Sequence, residues 1–192
     1  QRPVATERDA TGLQTAGLLV MVSDFDGRHP SLPAVAEERE RLLALLEPSP
    51  DALVDAAATV DGLVAEVEKE GWEKRPFIHI AAHAFTDQVT GRLSGIALHD
   101  RDLWLDEWRQ LSPLPPLVTF SACSGLRSRL YAGDEAIGLP TTCLAAGAQQ
   151  VMGSLWPLLD ATTPRFMQEF YTRWQEGESA ARALAQAQRA AV

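Results

Sequence analysis

The chain has 192 residues, of which 46% are hydrophobic and 22% charged, and this composition is typical of one globular domain with a substantial core. The formal net charge of −9, with no basic run to offset it, argues against a nucleic-acid-binding surface. Two cysteines are too few for a disulfide framework, and no apolar stretch approaches the length of a membrane span, so we expect a cytoplasmic protein in a reducing compartment.

The N-terminal end differs from the rest of the chain. Residues 1–15 are polar and aperiodic, and they are predicted to be a linker or a disordered segment before a single domain over residues 16–192. The first residues, Gln1-Arg2-Pro3, have neither the basic start nor the apolar core of a signal peptide, and there is no initial Met. We therefore expect the chain to be a piece of a longer polypeptide or a processed form.

Apolar runs and amphipathic patterns alternate along the remaining sequence. In the first half, the predicted elements are a strand over 16–25, a helix over 33–47, a short strand over 52–56, a helix capped by Thr59 and ending near Gly71, and a strand over 77–83. In the second half, they are a hairpin strand over 93–98, a short helix over 105–111, a strand over 117–123, a polar loop over 124–135, a helix over 137–146 ending at Gly147, a strand over 149–156, and helices capped by Thr162 or Thr163 and by Ser179. Strands that alternate with helices predict an α/β fold with a mostly parallel sheet and helices on both faces.

Two of these strands end in residue types that serve in catalysis. The run over 77–83 ends in His83 and the run over 117–123 ends in Cys123, and both are almost continuously apolar, as expected for buried parallel strands. Neighbouring strands lie about 4.8 Å apart, and active sites form at the carboxyl edge of an open α/β sheet. If the two strands are neighbours, an imidazole and a thiol meet at that edge.

A buried structural role is the alternative for each residue taken singly, since free cysteine is among the most buried residue types. A catalytic role is favoured because a histidine and a cysteine each stand last in a predicted strand. The polar Ser124-Gly125 that follows Cys123 supports it as well. A free thiol is only weakly ionised at neutral pH, and a nearby imidazole can accept its proton during attack on a carbonyl carbon. The same imidazole can then activate the water that hydrolyses the acyl-enzyme.

The other histidines and the second cysteine indicate no further site. On a strand, His79 and His83 are about 13 Å apart, too far to share a metal ion, and His79 is interpreted as a core residue. His29 and His99 lie in loop-like segments without evident partners, and Cys143 lies in an apolar helical stretch. Because no zinc-ligand spacing, phosphate loop or dinucleotide fingerprint is present, we predict neither a metal nor a cofactor.

Several runs occur together in an order that is typical of one family. They are Ile78-His79-Ile80-Ala81-Ala82-His83, Phe120-Ser121-Ala122-Cys123-Ser124-Gly125, Gly147-Ala148-Gln149-Gln150-Val151-Met152-Gly153-Ser154-Leu155-Trp156-Pro157, Thr162, Phe170-Tyr171, Gly177 and Ala183-Leu184-Ala185-Gln186-Ala187-Gln188. Over residues 16–190 the chain resembles the CHAT domain, a caspase-like module that is related to separase and often joined to tetratricopeptide repeats. The resemblance implies a caspase-like three-layer α/β/α sandwich and cysteine endopeptidase chemistry.

The resemblance also implies roles for individual residues. His83 matches the family's general base and Cys123 its nucleophile, and the N–H groups of Ala84 and Cys123 match the oxyanion hole. Most members have Gly where this chain has Ala84, and a backbone torsion reserved for Gly would strain an alanine.

The specificity pocket follows from the same resemblance. In caspase relatives, the pocket for the side chain before the scissile bond is built from the end of the first strand, the residue two before the Cys, and the loop after the late strand. Here the matching residues are Asp24 or Asp26, Ser121 and Asp160, although members often carry Asp where this chain has Leu159. Carboxylates in such a pocket favour Arg or Lys in the substrate. The alternative is that these Asp residues are solvated turn or cap residues.

The predicted function is that of a cysteine endopeptidase that cleaves a protein or peptide substrate after a basic residue. We expect control by a regulatory domain or protein, such as a tetratricopeptide-repeat partner, and no interaction with nucleic acid or membranes. Two alternatives stay open: an inactive caspase-like scaffold that binds other proteins, and an amidase that uses the same dyad on another acyl substrate.

Overall fold

A computed structural model of the chain describes residues 16–85, 94–122, 129–130, 136–155 and 160–191. Its strands within these ranges are β1 Leu18–Met21, β2 Asp51–Val54, β3 Phe77–Ala81, β4 Ala84–Phe85, β5 Gly95–Ala97, β6 Asp102–Trp104, β7 Leu117–Ser121, β8 Arg129–Leu130, β9 Ala136–Ile137 and β10 Gln150–Met152. Its α-helices are α1 Ala34–Leu45, α2 Val60–Val67, α3 Leu139–Ala145, α4 Thr163–Gln175 and α5 Ala180–Ala190.

The central sheet has five strands, all parallel, in the order β10-β7-β3-β1-β2. Every side chain of β1, β3 and β7 is buried, as expected where both faces of a parallel sheet are covered. Successive side chains alternate between two cores, so that Leu18 and Val20 pack in one and Leu19 and Met21 in the other. The predicted α/β/α fold with a mostly parallel sheet is therefore confirmed.

The two cores belong to two layers of helices. On one side, which we call the α1 face, helices α1, α4 and α5 pack on the sheet through apolar residues such as Leu42, Phe170 and Ala183. On the other side, the α2 face, helices α2 and α3 cover the sheet with residues such as Leu63 and Leu139. The carboxyl edge of the sheet thus opens between two separately packed layers.

The insertion after β3 forms a small antiparallel sheet in the order β4-β5-β6, which we call the hairpin sheet. Ile96 and Leu103 are buried in the core of the α2 face, so the hairpin sheet belongs to that layer. A hairpin strand was expected over 93–98; β5 confirms it over 95–97, while residues 86–93 lie outside the described part. The short helix expected over 105–111 is a 3-10 helix at Glu107–Leu111.

The predicted caps at Thr59 and Ser179 are confirmed, whereas Thr162, the N-cap residue of α4, makes no side-chain capping hydrogen bond. Thr59 Oγ1 accepts a hydrogen bond from Gly62 N at 2.9 Å, and Ser179 Oγ accepts one from Arg182 N at 3.4 Å. Gly147 follows α3 with φ of 107°, a torsion that favours glycine.

Two local predictions were wrong. The loop expected over 124–135 includes strand β8, and Ile137, the expected first residue of a helix, lies in strand β9. These two-residue strands pair with each other in antiparallel fashion. Apolar periodicity does not reveal pairs this short, because two residues do not complete a repeat.

A buried polar cluster joins α1 and α4 to the sheet on the α1 face. Glu38, which is 2% exposed, has Oε1 at 2.8 Å from His79 Nε2, and its Oε2 accepts a hydrogen bond from Ser121 Oγ at 2.9 Å. The other ring nitrogen of His79 lies 3.2 Å from the hydroxyl of Tyr171 on α4. Burial raises the pKa of the Tyr171 phenol, so this group stays protonated. The interpretation of His79 as a satisfied core residue is confirmed by its complete burial and its two partners.

Candidate active site

The imidazole of His83 lies at the carboxyl edge of the sheet, two residues beyond the end of β3. Its Nε2 lies 2.8 Å from the carbonyl oxygen of Pro30, in the loop between β1 and α1. A carbonyl oxygen can only accept, so Nε2 carries the hydrogen of this bond. In the neutral ring, Nδ1 is then the nitrogen with a free lone pair.

Aromatic contacts hold the ring in this orientation. The Phe25 ring is fully buried and lies 4.9 Å from the His83 ring between centroids, tilted by 36°. The His29 ring lies 5.8 Å away on the same loop as Pro30. His83 is therefore packed against the loop between β1 and α1 as well as hydrogen-bonded to it.

That loop is in turn tied to the end of β2 by Asp55. The carboxylate oxygen Oδ1 of Asp55 accepts hydrogen bonds from Ser23 N at 2.7 Å, Ser23 Oγ at 2.9 Å and Asp24 N at 3.1 Å. Partial burial acts to raise the pKa of Asp55, but these hydrogen bonds outweigh it and hold the pKa below its usual value. Asp55 also has φ of 42°, a left-handed torsion that Asp and Asn tolerate better than most residues.

The register of the sheet brings the chain beyond β3 next to the chain beyond β7. The two strands are parallel neighbours, and Ala81 is paired with Ser121. His83 and Cys123 each come two residues after this pair. The structure describes this part of the chain up to Ala122, and Cys123 itself lies outside the described residues.

Ala84 opens strand β4 and pairs with Ile96 of β5. Just before this pair, Ala97 N donates to His83 O at 2.9 Å. Because hydrogen-bonded and non-hydrogen-bonded pairs alternate along an antiparallel ladder, the N–H of Ala84 points away from β5. Among the described residues, the non-glycine residues with positive φ are Asp26 and Asp55. Ala84 therefore does not adopt the backbone torsion that would require a glycine.

Three of the four residues expected in a specificity pocket, Asp24, Asp26 and Asp160, lie in the loop before α1 or at its start. Asp24 and Asp26 are exposed in the loop after β1, where Asp24 Oδ1 accepts from Asp26 N at 3.1 Å. Asp160 Oδ2 accepts from Ala34 N, in the first turn of α1, at 3.1 Å. Ser121 is buried on the α1 face, and its hydroxyl donates a hydrogen bond to Glu38. Ala34 directly follows the loop that carries Asp24, so its bond to Asp160 places that carboxylate at the end of the loop. The two ends of the loop are themselves joined, because Leu32 N donates a hydrogen bond to Ser23 O.

A groove of about 410 Å³ adjoins His83 on the side of the hairpin sheet. We call it the hairpin groove; its lining residues in the described part of the chain are His29, Pro30, His83, Ala84, Phe85, Asp102 and Trp104. None of the four predicted specificity residues lines it. The hairpin groove and the acidic loop residues are therefore separate features of the same edge.

Two histidines that the sequence left without partners have them in the structure. His29 Nε2 lies 3.2 Å from Asp102 Oδ1 of the hairpin sheet, and His99 Nδ1 lies 2.8 Å from the carbonyl oxygen of Asp24. Both partners are more than 70 residues away along the chain, so local patterns carry no sign of them. Cys143, in contrast, is fully buried in α3, and burial raises the pKa of its thiol, which is consistent with an inert residue.

Comparison with protein-family models gives a match to the CHAT domain over residues 1–192. The chain belongs to the CHAT domain family. This family is caspase-like and peptidase-related, in agreement with the fold and with the family resemblance of the sequence. Comparison with curated proteins gives no match.

In the part of the chain that the structure describes, no group of three or more His, Cys, Asp or Glu side chains is arranged to hold a metal ion. Over the same ranges, no helix combines the length and the apolar character needed to cross a membrane.

We predict that Asp55→Asn removes a pH-dependent contribution to the stability of this CHAT domain. Because folding lowers the pKa of Asp55, this contribution is fully present above the unfolded value of about 3.9 and is lost as the pH falls through the lower folded value. The variant should therefore melt below the wild type at neutral pH, and the gap should close in strong acid. Thermal unfolding followed by circular dichroism across this range measures the gap.

Asn tolerates the left-handed torsion at position 55, so this substitution isolates the charge from the backbone. Glu73→Gln, at an exposed residue, is the control and should show no such closing gap. A gap between wild type and Asp55→Asn that is the same in strong acid and at neutral pH would contradict the role of this carboxylate.

Proposed function

We propose that this CHAT domain is a cysteine endopeptidase in which His83 is the general base and Cys123 the nucleophile. The observation that carries the proposal is the hydrogen bond from His83 Nε2 to the Pro30 carbonyl oxygen at the carboxyl edge of the sheet. It leaves Nδ1 as the proton acceptor of a ring whose strand, β3, is the direct neighbour of the strand that leads to Cys123.

The chemistry then needs one thiol and one imidazole. The thiol proton passes to His83 Nδ1 as the sulfur attacks the carbonyl carbon of the scissile peptide bond. The imidazolium returns this proton to the leaving amine nitrogen as the C–N bond breaks, which leaves a thioester on Cys123. The same Nδ1 next takes a proton from water, the hydroxyl attacks the thioester carbon, and the carboxylic product leaves as the thiol regains its proton.

Oxyanion stabilisation requires N–H groups aimed at the carbonyl oxygen of the scissile bond. The N–H of Ala84 is a suitable donor because it points away from β5 and follows the catalytic histidine directly. The N–H of Cys123 is the second proposed donor. The ordinary backbone torsion of Ala84 supports this role for a chain that has alanine where most relatives have glycine.

The acidic residues around the start of α1 support cleavage after Arg or Lys. Asp24, Asp26 and Asp160 lie at or next to the loop that also carries Pro30, so a basic side chain bound there would lie close to His83. The Asp160 carboxylate uses one oxygen on Ala34 N, and a carboxylate can accept further hydrogen bonds from a guanidinium. Ser121 would serve as part of the pocket floor, with its orientation set by Glu38.

Control by a partner and a reducing location complete the proposal. Loops at such an edge often reach their active arrangement only with a partner, and we propose a regulatory domain or protein, such as a tetratricopeptide-repeat protein, in that role. A nucleophilic thiol must stay reduced, which favours the cytoplasm.

We predict that Cys123→Ala and His83→Ala each lower kcat/KM for a peptide with Arg before the scissile bond by about a thousandfold or more, because each removes one half of the dyad. Cleavage is measured by mass spectrometry of a peptide library, with circular dichroism to verify the fold. Cys143→Ala is the matched cysteine control and should keep activity, since Cys143 is buried in α3.

Labelling with a peptide electrophile that carries Arg provides an independent readout. We expect an adduct on Cys123 that is lost in His83→Ala. Cleavage by either variant at the wild-type rate would contradict the dyad, and the absence of both cleavage and adduct in the wild type would support a non-catalytic scaffold instead.

We predict that Asp160→Asn lowers kcat/KM about tenfold for a substrate with Arg before the scissile bond, because one charge-assisted hydrogen bond is lost. The amide oxygen of Asn can still accept from Ala34 N, so α1 keeps its capping contact. Asp61→Asn, at an exposed residue of α2, is the control. Unchanged kinetics for Asp160→Asn on the Arg substrate would remove Asp160 from the pocket.

A further inference from the structure

The hairpin groove has two walls from distant parts of the chain. The loop between β1 and α1 supplies His29 and Pro30, and the hairpin sheet supplies Phe85, Asp102 and Trp104. In the strand order β7-β3-β1, this loop follows β1, so the loop wall of the groove lies on the side of His83 opposite to β7. This wall therefore borders the imidazole on the side away from the strand that leads to Cys123.

The lining of the groove is mainly apolar and aromatic. Phe85 and Trp104 meet edge to face with 5.2 Å between ring centroids, and Pro30 and Ala84 add aliphatic surface. Large aromatic walls of this kind bind apolar side chains by burying their surface. A volume of about 410 Å³ is within the range of sites that hold small ligands.

Among the described lining residues, the single carboxylate, that of Asp102, is already compensated. Asp102 Oδ1 lies 3.3 Å from Arg28 Nη1 and 3.2 Å from His29 Nε2. Arg28 is held in place by the carbonyl oxygens of Leu98 and His99. A basic ligand side chain would have to compete with Arg28 for this carboxylate, so the groove favours an uncharged occupant.

The groove and Ser121, one of the residues of the proposed pocket, lie toward different faces of the sheet. The hydroxyl of Ser121 is bonded to Glu38 on the α1 face, whereas the hairpin sheet packs on the α2 face. A peptide that crosses the edge would place the residue before the scissile bond toward one face and the residue after it toward the other. The general acid in peptide hydrolysis protonates the leaving amine, so the leaving segment starts at Nδ1, and the side chain of its first residue would pass along the ring to reach the groove.

We propose that the hairpin groove binds an apolar or aromatic side chain of the substrate residue that follows the scissile bond. This inference rests on the proposed function and names a further part of its substrate class. It makes the groove a specificity-determining site on the leaving-group side, separate from the acidic residues that recognise the preceding side chain.

The test uses peptides that keep Arg before the scissile bond and vary the next residue among Phe, Leu, Gly, Lys and Glu. We expect kcat/KM to be at least tenfold higher for Phe or Leu than for Gly, as expected when a large apolar side chain is buried. Trp104→Ala should bring the Phe-to-Gly ratio close to one. Trp174→Ala, on the opposite face of the sheet, is the matched aromatic control and should leave the ratio unchanged.

His29→Ala provides a second variant from the other wall, so the test does not depend on the stability of the hairpin sheet. It should also lower the Phe-to-Gly ratio. A ratio near one in the wild type, or a preference for Lys after the bond, would overturn the inference, as would a ratio that neither variant changes.

Binding separates this inference from the proposed function. Isothermal titration of the Cys123→Ala variant with the Phe and Gly peptides should give at least tenfold tighter binding of the Phe peptide, and Trp104→Ala in the same background should remove the difference. If the variant shows this binding preference but the wild type cleaves neither peptide, the role of the groove stands and the endopeptidase proposal is wrong. If the wild type cleaves the peptides but the variant binds the Phe and Gly peptides equally, the endopeptidase proposal stands and the role of the groove is wrong.

Discussion

The hydrogen bond between His83 Nε2 and the carbonyl oxygen of Pro30 is the interaction on which the proposed chemistry depends. It assigns the proton of the neutral ring to one nitrogen and leaves the other free to act as a base. Without it, the ring of a half-buried histidine could rotate or change tautomer, and proximity to a thiol would not produce catalysis. The acceptor comes from a loop, because a loop carbonyl oxygen at this edge is not used in the hydrogen bonds between the strands of the sheet.

The rest of the edge is organised around that loop. Asp55 ties its first residues to the end of β2, Phe25 packs beneath the imidazole, and Asp160 bonds to the start of α1 where the loop ends. The α1 face of the edge carries the buried Glu38 cluster with Ser121, and the α2 face carries the hairpin sheet whose aromatic residues line the hairpin groove. In the proposed function, His83 lies between the acidic residues and the hairpin groove, which differ in chemical character.

The sequence predicted the sheet and the position of His83 because long apolar runs report burial on both faces, and burial determines which segments become central strands. The sequence left the adjacency of the strands that lead to His83 and Cys123 as a condition, and the direct pairing of β3 with β7 meets it. The sequence did not predict the burial of Glu38, since a single carboxylate on an amphipathic helix looks like its solvated neighbours. Its partners come from β3 and β7, and such contacts arise only when helix and sheet pack.

The contacts of His29 with Asp102 and of His83 with Pro30 could not be predicted for the same reason, since they join segments that are distant in sequence. The tautomer of His83 is the most direct test of this arrangement. Long-range proton–nitrogen correlation spectra of the ¹⁵N-labelled Cys123→Ala variant, at a pH where the ring is neutral, assign the proton to one ring nitrogen. We expect it on Nε2, with Nδ1 unprotonated; a neutral His83 that carries its proton on Nδ1 would contradict the proposed base.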